Sequence, residues 1–382
     1  MSTELRAFFA IVSAVSLAGC GENFKPPSYV DGLRILAVRA EVPELAPSAG
    51  TDGSLPSRTE LEVLIADPAQ LDDPDREVTA LFFACTPDPL DPTGSGCSAL
   101  ANLRIDAKVA RAAAAAMCAG GSGGGAASPM RFAGVASCVH GQPCSAVSLE
   151  VEGVPLQLPA PAYEIPDDTD LEILPSDHPA RVRGIQAMIS TVAVAASPAE
   201  LLNGADASDP CAFATALGAR LGDLLETRES VTAVKRVQIR GPDARDEPNV
   251  NPIVTGISAR GEALPEDPGD PVGPEALIAA GAAAALLPLL PDDGVDRIQR
   301  YTRLDATGAP VEVVDESWTW SWYASAGTIE RLRTRATTEP AAFTAPTGKK
   351  DDPLPASKRI FVWTVVRDGR GGVDWVTREL RL

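Results

Sequence analysis

The segment ESWTWSWYASAG, residues 316–327, decides how the C-terminal part of this chain is interpreted. It places Trp318, Trp320 and Trp322 at alternate positions. Alternate residues of a β-strand share one face, so a strand here carries its indoles on one side and small or polar side chains on the other. Such a row is either an aromatic platform for a ligand such as a sugar or the centre of a hydrophobic core.

The energetics of burial favour the core. Each buried aromatic side chain removes about 150–250 Å² from water. At about 25 cal/mol per Å², three exposed indoles would forfeit roughly 10 kcal/mol, and whole domains are stable by only about 5–15 kcal/mol. We therefore predict that Trp318, Trp320 and Trp322 belong to the core, with at least one at a sheet edge where a partner could touch it. A carbohydrate-binding platform is the alternative.

Outward from this segment, the chain has the pattern of short strands separated by turns. It contains 34 Pro and 32 Gly but only 5% aromatic residues, a composition typical of many loops and turns. One stretch, residues 209–230, has the spacing of an amphipathic helix, with Asp209 as the cap and Pro210 at the first position. Alternating apolar residues predict strands within 33–50, 58–68, 77–86, 180–197, 233–241 and 251–264, and a hairpin at 359–382.

The order of these elements predicts the fold class. Strands do not alternate regularly with helices, so we expect a mainly β protein with two antiparallel β-sandwich domains of immunoglobulin-like type. The Ala-rich stretch 276–290 is expected to be a buried helix or a strand. The predicted organisation is a signal peptide (1–19), a lipidated tether (20–29), a first domain (30–241) with a long irregular insertion (about 87–180), a linker (242–250) and a second domain (251–382).

The N-terminus carries a targeting signal. Arg6 precedes a short apolar run that ends in Leu17-Ala18-Gly19-Cys20, and a run of this length is typical of a secretory signal. The four-residue motif resembles the lipobox of bacterial lipoprotein precursors, which implies cleavage before Cys20 and its lipidation. The alternative is an ordinary signal peptide. Gly21 follows, where Asp would favour inner-membrane retention in enteric-type sorting, so we expect a lipid-anchored protein of the outer membrane.

Charge restricts the partners. The 33 basic and 52 acidic residues give a net charge of −19. The chain as a whole therefore has no electrostatic footprint for nucleic acid or for anionic lipid headgroups. We expect it to reach the membrane through its lipid anchor and to meet envelope proteins or polysaccharide there.

Cysteine usage agrees with export. With Cys20 assigned to lipid, six of the seven cysteines remain, an even number that predicts up to three disulfides in an exported chain. We favour the neighbouring pairs Cys85–Cys97 and Cys138–Cys144. Zinc is the alternative, but the chain has no CxxC pair and only two His, so no metal site is predicted. The candidate disulfide residues are Cys85, Cys97, Cys118, Cys138, Cys144 and Cys211.

No motif predicts an enzyme or a cofactor. Residues 120–124 satisfy GxSxG but lie inside a Gly-rich run, where a nucleophile elbow needs a strand before it and a helix after it. His140 lies between two cysteines, and His178 is isolated. The acidic stretches around 72–75 and 167–177 offer oxygen ligands for calcium, but neither has EF-hand spacing. An exported hydrolase is therefore a distant possibility.

Three stretches carry a family resemblance: LRILAVRAEVPELAP after the lipobox, Asn251-Pro252 at the start of the second unit, and VVRDGRGGVDW near the end. Together they resemble uncharacterised myxobacterial-type outer-membrane lipoproteins with immunoglobulin-like domains. The resemblance implies this fold and location and brings no catalytic residues. The expected function is a non-enzymatic structural, adhesion or scaffolding role. The alternative is a surface protein that binds carbohydrate or calcium through the Trp strand or the acidic loops.

Overall fold

The structure, a computed structural model, describes residues 26–47, 55–73, 75–90, 97, 130–140, 142–151, 154–202, 210–266, 276–292 and 298–382. The chain is mainly β, with 44% strand and 10% helix, which confirms the predicted class. Almost all of its strand pairs are antiparallel. Below, residues 30–241 are called the N-terminal half and residues 251–382 the C-terminal half.

The described part of the N-terminal half contains four helices and eleven strands. The helices are α1 (Ala69–Asp72), α2 (Ala180–Arg183), α3 (Pro198–Leu202) and α4 (Pro210–Thr227). The strands are β1 (Arg34–Ala40), β2 (Glu44–Leu45), β3 (Arg58–Ala66), β4 (Val78–Cys85), β5 (Met130–Cys138), β6 (Ser145–Ala146), β7 (Ser148–Val151), β8 (Val154–Gln157), β9 (Ala162–Glu164), β10 (Ile185–Val194) and β11 (Ser230–Ile239).

Two sheets and one helix build the N-terminal half. A three-stranded sheet, β1-β3-β9, shares an apolar core with a six-stranded sheet, β2-β11-β10-β4-β5-β6. Alternation along β3 directs Leu61, Val63 and Ile65 into this core. On the other face of the six-stranded sheet, α4 packs through Leu217, Leu221 and their neighbours. Their spacing places them on one side of the helix, and the predicted helix is confirmed.

The prediction that residues 87–180 form an irregular insertion is wrong for its second part. Strand β5 pairs with β4 along its whole length, from Val78–Cys138 to Cys85–Met130, and β9 adds a strand beside β3. The sequence of β5 did not indicate a strand because Gly134 interrupts the alternation of apolar residues. A Cβ on Gly134 would lie 2.6 Å from the Pro161 backbone, so the crossing of β9 requires glycine there.

The described part of the C-terminal half contains eleven further strands. They are β12 (Gly256–Ala259), β13 (Glu262–Ala263), β14 (Ala283–Leu289), β15 (Arg300–Leu304), β16 (Pro310–Asp315), β17 (Thr319–Ala324), β18 (Thr328–Ile329), β19 (Arg333–Thr334), β20 (Ala341–Thr344), β21 (Arg359–Arg367) and β22 (Val373–Arg381). They form a five-stranded sheet, β13-β12-β14-β20-β18, a four-stranded sheet, β19-β17-β21-β22, and the hairpin β15-β16.

Within the Ala-rich stretch, Ala283–Leu289 form strand β14, in agreement with the second of the two predicted forms. In β14 alternate residues are buried, and Leu286 lies in the core of the C-terminal half. Proline lacks the N–H that a central strand must donate. Pro288 is tolerated because the ladder with β20 ends at Leu286, and only β12 pairs with the rest of β14. Pairing in the sheet therefore overrides the helical preference of alanine.

An apolar interface joins the two halves. Strand β21 alternates between two cores: Ile360, Val362 and Val366 face the other sheet of the C-terminal half, whereas Phe361 and Trp363 face the N-terminal half. Across this interface lie the outward sides of β1 and β3. The four-stranded sheet is therefore covered on both faces.

A buried polar network joins the halves a second time, at the end of β21. The backbone N–H of Asn249 donates to Glu44 at 2.6 Å, and its side-chain amide donates to Asp368 at 3.0 Å. Arg370, in the turn after β21, forms a 3.1 Å ion pair with Glu316. We call this network the polar junction. Asn249, from the predicted linker, is buried within it.

Candidate functional site

The structure places the three tryptophans of the opening segment in the core. Trp320 and Trp322 are fully buried, and Trp318 is 6% exposed. They pack in the cluster that contains Ile257 and Phe343 from the opposite sheet. Burial of all three confirms the core prediction and contradicts the expectation of one Trp at an accessible edge. Indoles that are already covered cannot form a platform for a sugar.

The face of β17 opposite the tryptophans carries small and polar residues, which are typical of a face exposed to water. In the structure this face is covered. Ser321 is buried, and Tyr323 packs against the apolar cluster between the halves. Trp363 from β21 lies in the same cluster. The small and polar side chains therefore mark a second packed layer, because the N-terminal half lies against this face.

Two of the predicted disulfide pairs form. Cys85 and Cys97 are bonded with Cα atoms 5.7 Å apart, and Cys138 and Cys144 with Cα atoms 4.3 Å apart. Both Cα distances are close to the usual range for a disulfide. Cys118 lies outside the described residues, as does the side chain of Cys211. The third disulfide stays a prediction, and so does the lipidation of Cys20, which is also outside them.

The loop closed by Cys138–Cys144 inserts His140 between the halves. The imidazole lies edge-on to Phe361 and Trp363, with ring centroids 4.6 and 5.3 Å away. Its Nδ1 accepts the backbone N–H of Asp67 at 2.9 Å, so the proton of the neutral ring is on Nε2. His140 is 6% exposed. It is a packing residue of the interface, which agrees with its position in a disulfide loop but adds a role that the sequence did not indicate.

The environment of His140 disfavours its charged form. Burial, followed by the nearby Arg359 guanidinium, lowers the pKa of His140 to about 4. Asp67 and Arg76 also lie at this position and form a 2.6 Å ion pair, and Arg359 is paired with Glu379 at 2.7 Å. His140 therefore stays neutral in the folded protein at ordinary pH.

The remaining sequence candidates do not assemble into a site. Among the described residues, no group of three or more His, Cys, Asp or Glu could hold a metal ion. In the acidic loop, Asp170 accepts the backbone N–H of Glu172 and so stabilises its own turn. His178 accepts the N–H of Ala180. The GxSxG residues, 120–124, lie outside the described residues.

A cleft opens where β3 and β9 meet β4 and β5. It has a volume of about 290 Å³, and its polar side chains are Arg58, Thr86, Arg131, Tyr163 and Glu164. We call it the arginine cleft. The side chains of Arg58 and Arg131 are exposed, and no carboxylate of the described chain forms an ion pair with either. The sequence did not single out these residues, because they lie far apart along the chain and Arg131 falls in the predicted insertion.

The arginine cleft has the chemistry of an anion site. Tyr163 is buried, and its hydroxyl lies 2.8 Å from the Thr86 hydroxyl. Burial raises the pKa of Tyr163 to about 12, so the phenol stays neutral and can donate a hydrogen bond. Two guanidinium groups outnumber the single carboxylate of Glu164 in the cleft, and together with the phenol they suit a carboxylate, sulfate or phosphate group. Neither His140 nor His178 lines the cleft, so no histidine can act there as a general base.

Comparison with known proteins assigns no family: neither a protein-family model nor a curated protein sequence matches the chain. None of the described helices combines the length and the hydropathy of a membrane-spanning segment.

Proposed function

We propose that this protein is a lipid-anchored protein of the cell envelope with a non-enzymatic structural, adhesion or scaffolding role. The observation that carries the proposal is the double connection between the halves, which share an apolar interface and the polar junction. Such an interface resists relative motion of the halves, as a spacer or scaffold requires. The lipobox at Leu17–Cys20 supports attachment through Cys20, and Gly21 supports the outer membrane.

We further propose that each half is an immunoglobulin-like β-sandwich. Two sheets contribute to one core in each half, which is the layering that such a fold requires. The resemblance to myxobacterial-type outer-membrane lipoproteins agrees with this assignment.

Replacing Cys20 with serine tests the anchor. We expect the Cys20→Ser variant to lose incorporation of labelled palmitate and to move from the detergent phase to the aqueous phase, because its thiol can no longer be acylated. Wild-type protein should fractionate with the outer membrane. Palmitate labelling of the variant, or wild-type protein in the inner-membrane fraction, would contradict the corresponding part of the proposal.

The arginine cleft favours a second candidate function, the binding of an acidic polysaccharide at the surface. Replacing Arg58 and Arg131 with serine is expected to weaken binding to polygalacturonate about tenfold or more, because hydrogen bonds to charged groups contribute about 1.5–3 kcal/mol each. Affinity electrophoresis measures this. A variant with Arg236→Ser and Arg245→Ser loses the same charge from exposed positions outside the cleft and should bind like wild type. Equal weakening in both variants would show a general charge effect and reject the site.

A further inference from the structure

The proposed lipid anchor lies a short distance along the chain from the folded protein. The N–H of Ala324 donates to Ser28 O at 2.9 Å, and the N–H of Val30 donates to Ala324 O at 2.9 Å. Ser28 and Val30 are both buried. Eight peptide links separate Cys20 from Ser28, and at about 3.3–3.6 Å per residue their reach is at most roughly 28 Å. The part of the protein around Ala324 is therefore held close to the lipid.

One end of the C-terminal half surrounds this attachment point. Strand β17 ends at Ala324, and the chain turns there into β18. Two further strands begin or end at the same end of the C-terminal half. Strand β20 ends opposite Thr328, and β21 begins beside Ser325, whose hydroxyl accepts the N–H of Phe361. The C-terminal residue is tied there too, because the N–H of Leu382 donates to Lys358 O at 3.0 Å. We call the surface formed by residues 325–328, 345–358 and 380–382 the anchor end.

Lysines concentrate at the anchor end of this acidic protein. Lys349, Lys350 and Lys358 are exposed, and none of them forms an ion pair within the described chain. By contrast, Lys235 is buried in the N-terminal half, and Lys25 and Lys108 lie outside the described residues. The two arginines of the same region, Arg359 and Arg381, both pair with the single carboxylate of Glu379.

The lysine-bearing loop also presents an apolar side chain. Leu354 is 40% exposed between Lys350 and Lys358, so the loop combines ammonium groups with a hydrocarbon surface. Lysines next to an anionic lipid surface strengthen binding by about fivefold each, and one lipid anchor combined with a basic patch holds more firmly than the anchor alone. The net charge of −19 concealed this patch, in which the three lysines outnumber the two carboxylates of the same loop, Asp351 and Asp352.

We infer that the anchor end faces the membrane and that Lys349, Lys350 and Lys358 bind an anionic lipid surface. This inference rests on lipidation at Cys20. It orients the polar junction away from the lipid, since the junction lies at the opposite end of β17 and β21.

The orientation can be tested with lipidated protein on vesicles of phosphatidylcholine, with or without 30% phosphatidylglycerol. Acylation of each lysine by a sulfonated, membrane-impermeant ester is followed by mass spectrometry. We expect Lys349, Lys350 and Lys358 to react at least about threefold more slowly on the anionic vesicles, and 0.5 M salt to remove the difference.

Reporter lysines provide the matched control. Arg236→Lys, Arg245→Lys and Arg303→Lys keep the net charge and place reactive amines at exposed positions away from the anchor end. They should react equally on both kinds of vesicle. Slowing at the reporters instead of at the anchor end would overturn the inference, because the opposite end would then face the lipid.

Two further outcomes separate the inference from what it rests on. If the mature wild-type protein proves to carry no acyl chains and does not float with either vesicle, the proposed lipid anchor is rejected. Protein that floats but whose anchor-end lysines react equally on both vesicles would keep the anchor and reject the inference. Equal protection by soluble polygalacturonate on phosphatidylcholine vesicles would also reject it, because the lysines would then bind anionic polymers in general.

Discussion

Replacing Trp320 with alanine is expected to lower the free energy of unfolding by about 3–5 kcal/mol. Trp320 is fully buried in the core of the C-terminal half. Its indole N–H has no hydrogen-bond partner in the described structure, so the substitution removes packing without removing a hydrogen bond. Urea denaturation of wild type and variant measures the difference. A loss of this size is a large part of the stability of a typical domain.

The matched control is Trp375→Ala. Trp375 is half-buried beside the Arg39 guanidinium, whose central carbon lies 4.7 Å from its ring centroid, so this substitution should cost about 1 kcal/mol. Fluorescence gives an independent check, since buried indoles emit to the blue and resist acrylamide. If Trp320→Ala left stability unchanged and abolished retention on polysaccharide, the core assignment would be wrong and the platform alternative would be favoured.

Acidification from pH 7 to pH 4 is expected to destabilise the protein by about 3 kcal/mol through His140 alone. The unfolded chain binds a proton at His140 below a pKa of about 6.5, whereas burial lowers the pKa of the folded state to about 4. Between these values the unfolded state binds more protons. The stabilisation is therefore complete above pH 6.5 and is lost as the pH falls toward 4.

The experiment compares wild type with His140→Gln, which does not titrate and keeps an acceptor for the Asp67 N–H. The free energy of unfolding is measured at pH 7 and at pH 4 for both proteins. Its decrease between the two pH values should be about 3 kcal/mol larger in wild type than in the variant. The comparison removes the contributions of other groups. Burial raises the pKa of Glu316 and of Asp374, and these carboxyls favour the folded state as the pH falls. Equal pH dependence in wild type and variant would show that His140 is accessible to protons in the folded protein.

The local patterns of the sequence were sufficient to predict strands β1, β3, β4, β10, β11, β12, β17, β21 and β22, helix α4 and the two observed disulfides. Alternation along β3 and β17 and the three- and four-residue spacing in α4 predict which side of each element is buried, because these periods follow from backbone geometry alone. The pairs Cys85–Cys97 and Cys138–Cys144 could be predicted because the two cysteines of each pair are close along the chain. The same reasoning failed at β5. Glycine is needed at position 134 because Pro161 lies against it, and a contact between residues so far apart in the chain leaves no local pattern.

The sequence by itself determined the mainly β class, the burial of Trp318, Trp320 and Trp322, and the lipobox that predicts an anchor. Only the tertiary structure decided what lies against the other face of the tryptophan strand and which distant residues share a surface. It brought Arg58 to Arg131, seated His140 between the halves, and tied Ser28 to Ala324 beside the exposed lysines. These are contacts between residues far apart in the chain. A periodic pattern shows that a side chain needs a neighbour, but the choice of neighbour depends on how the whole chain packs.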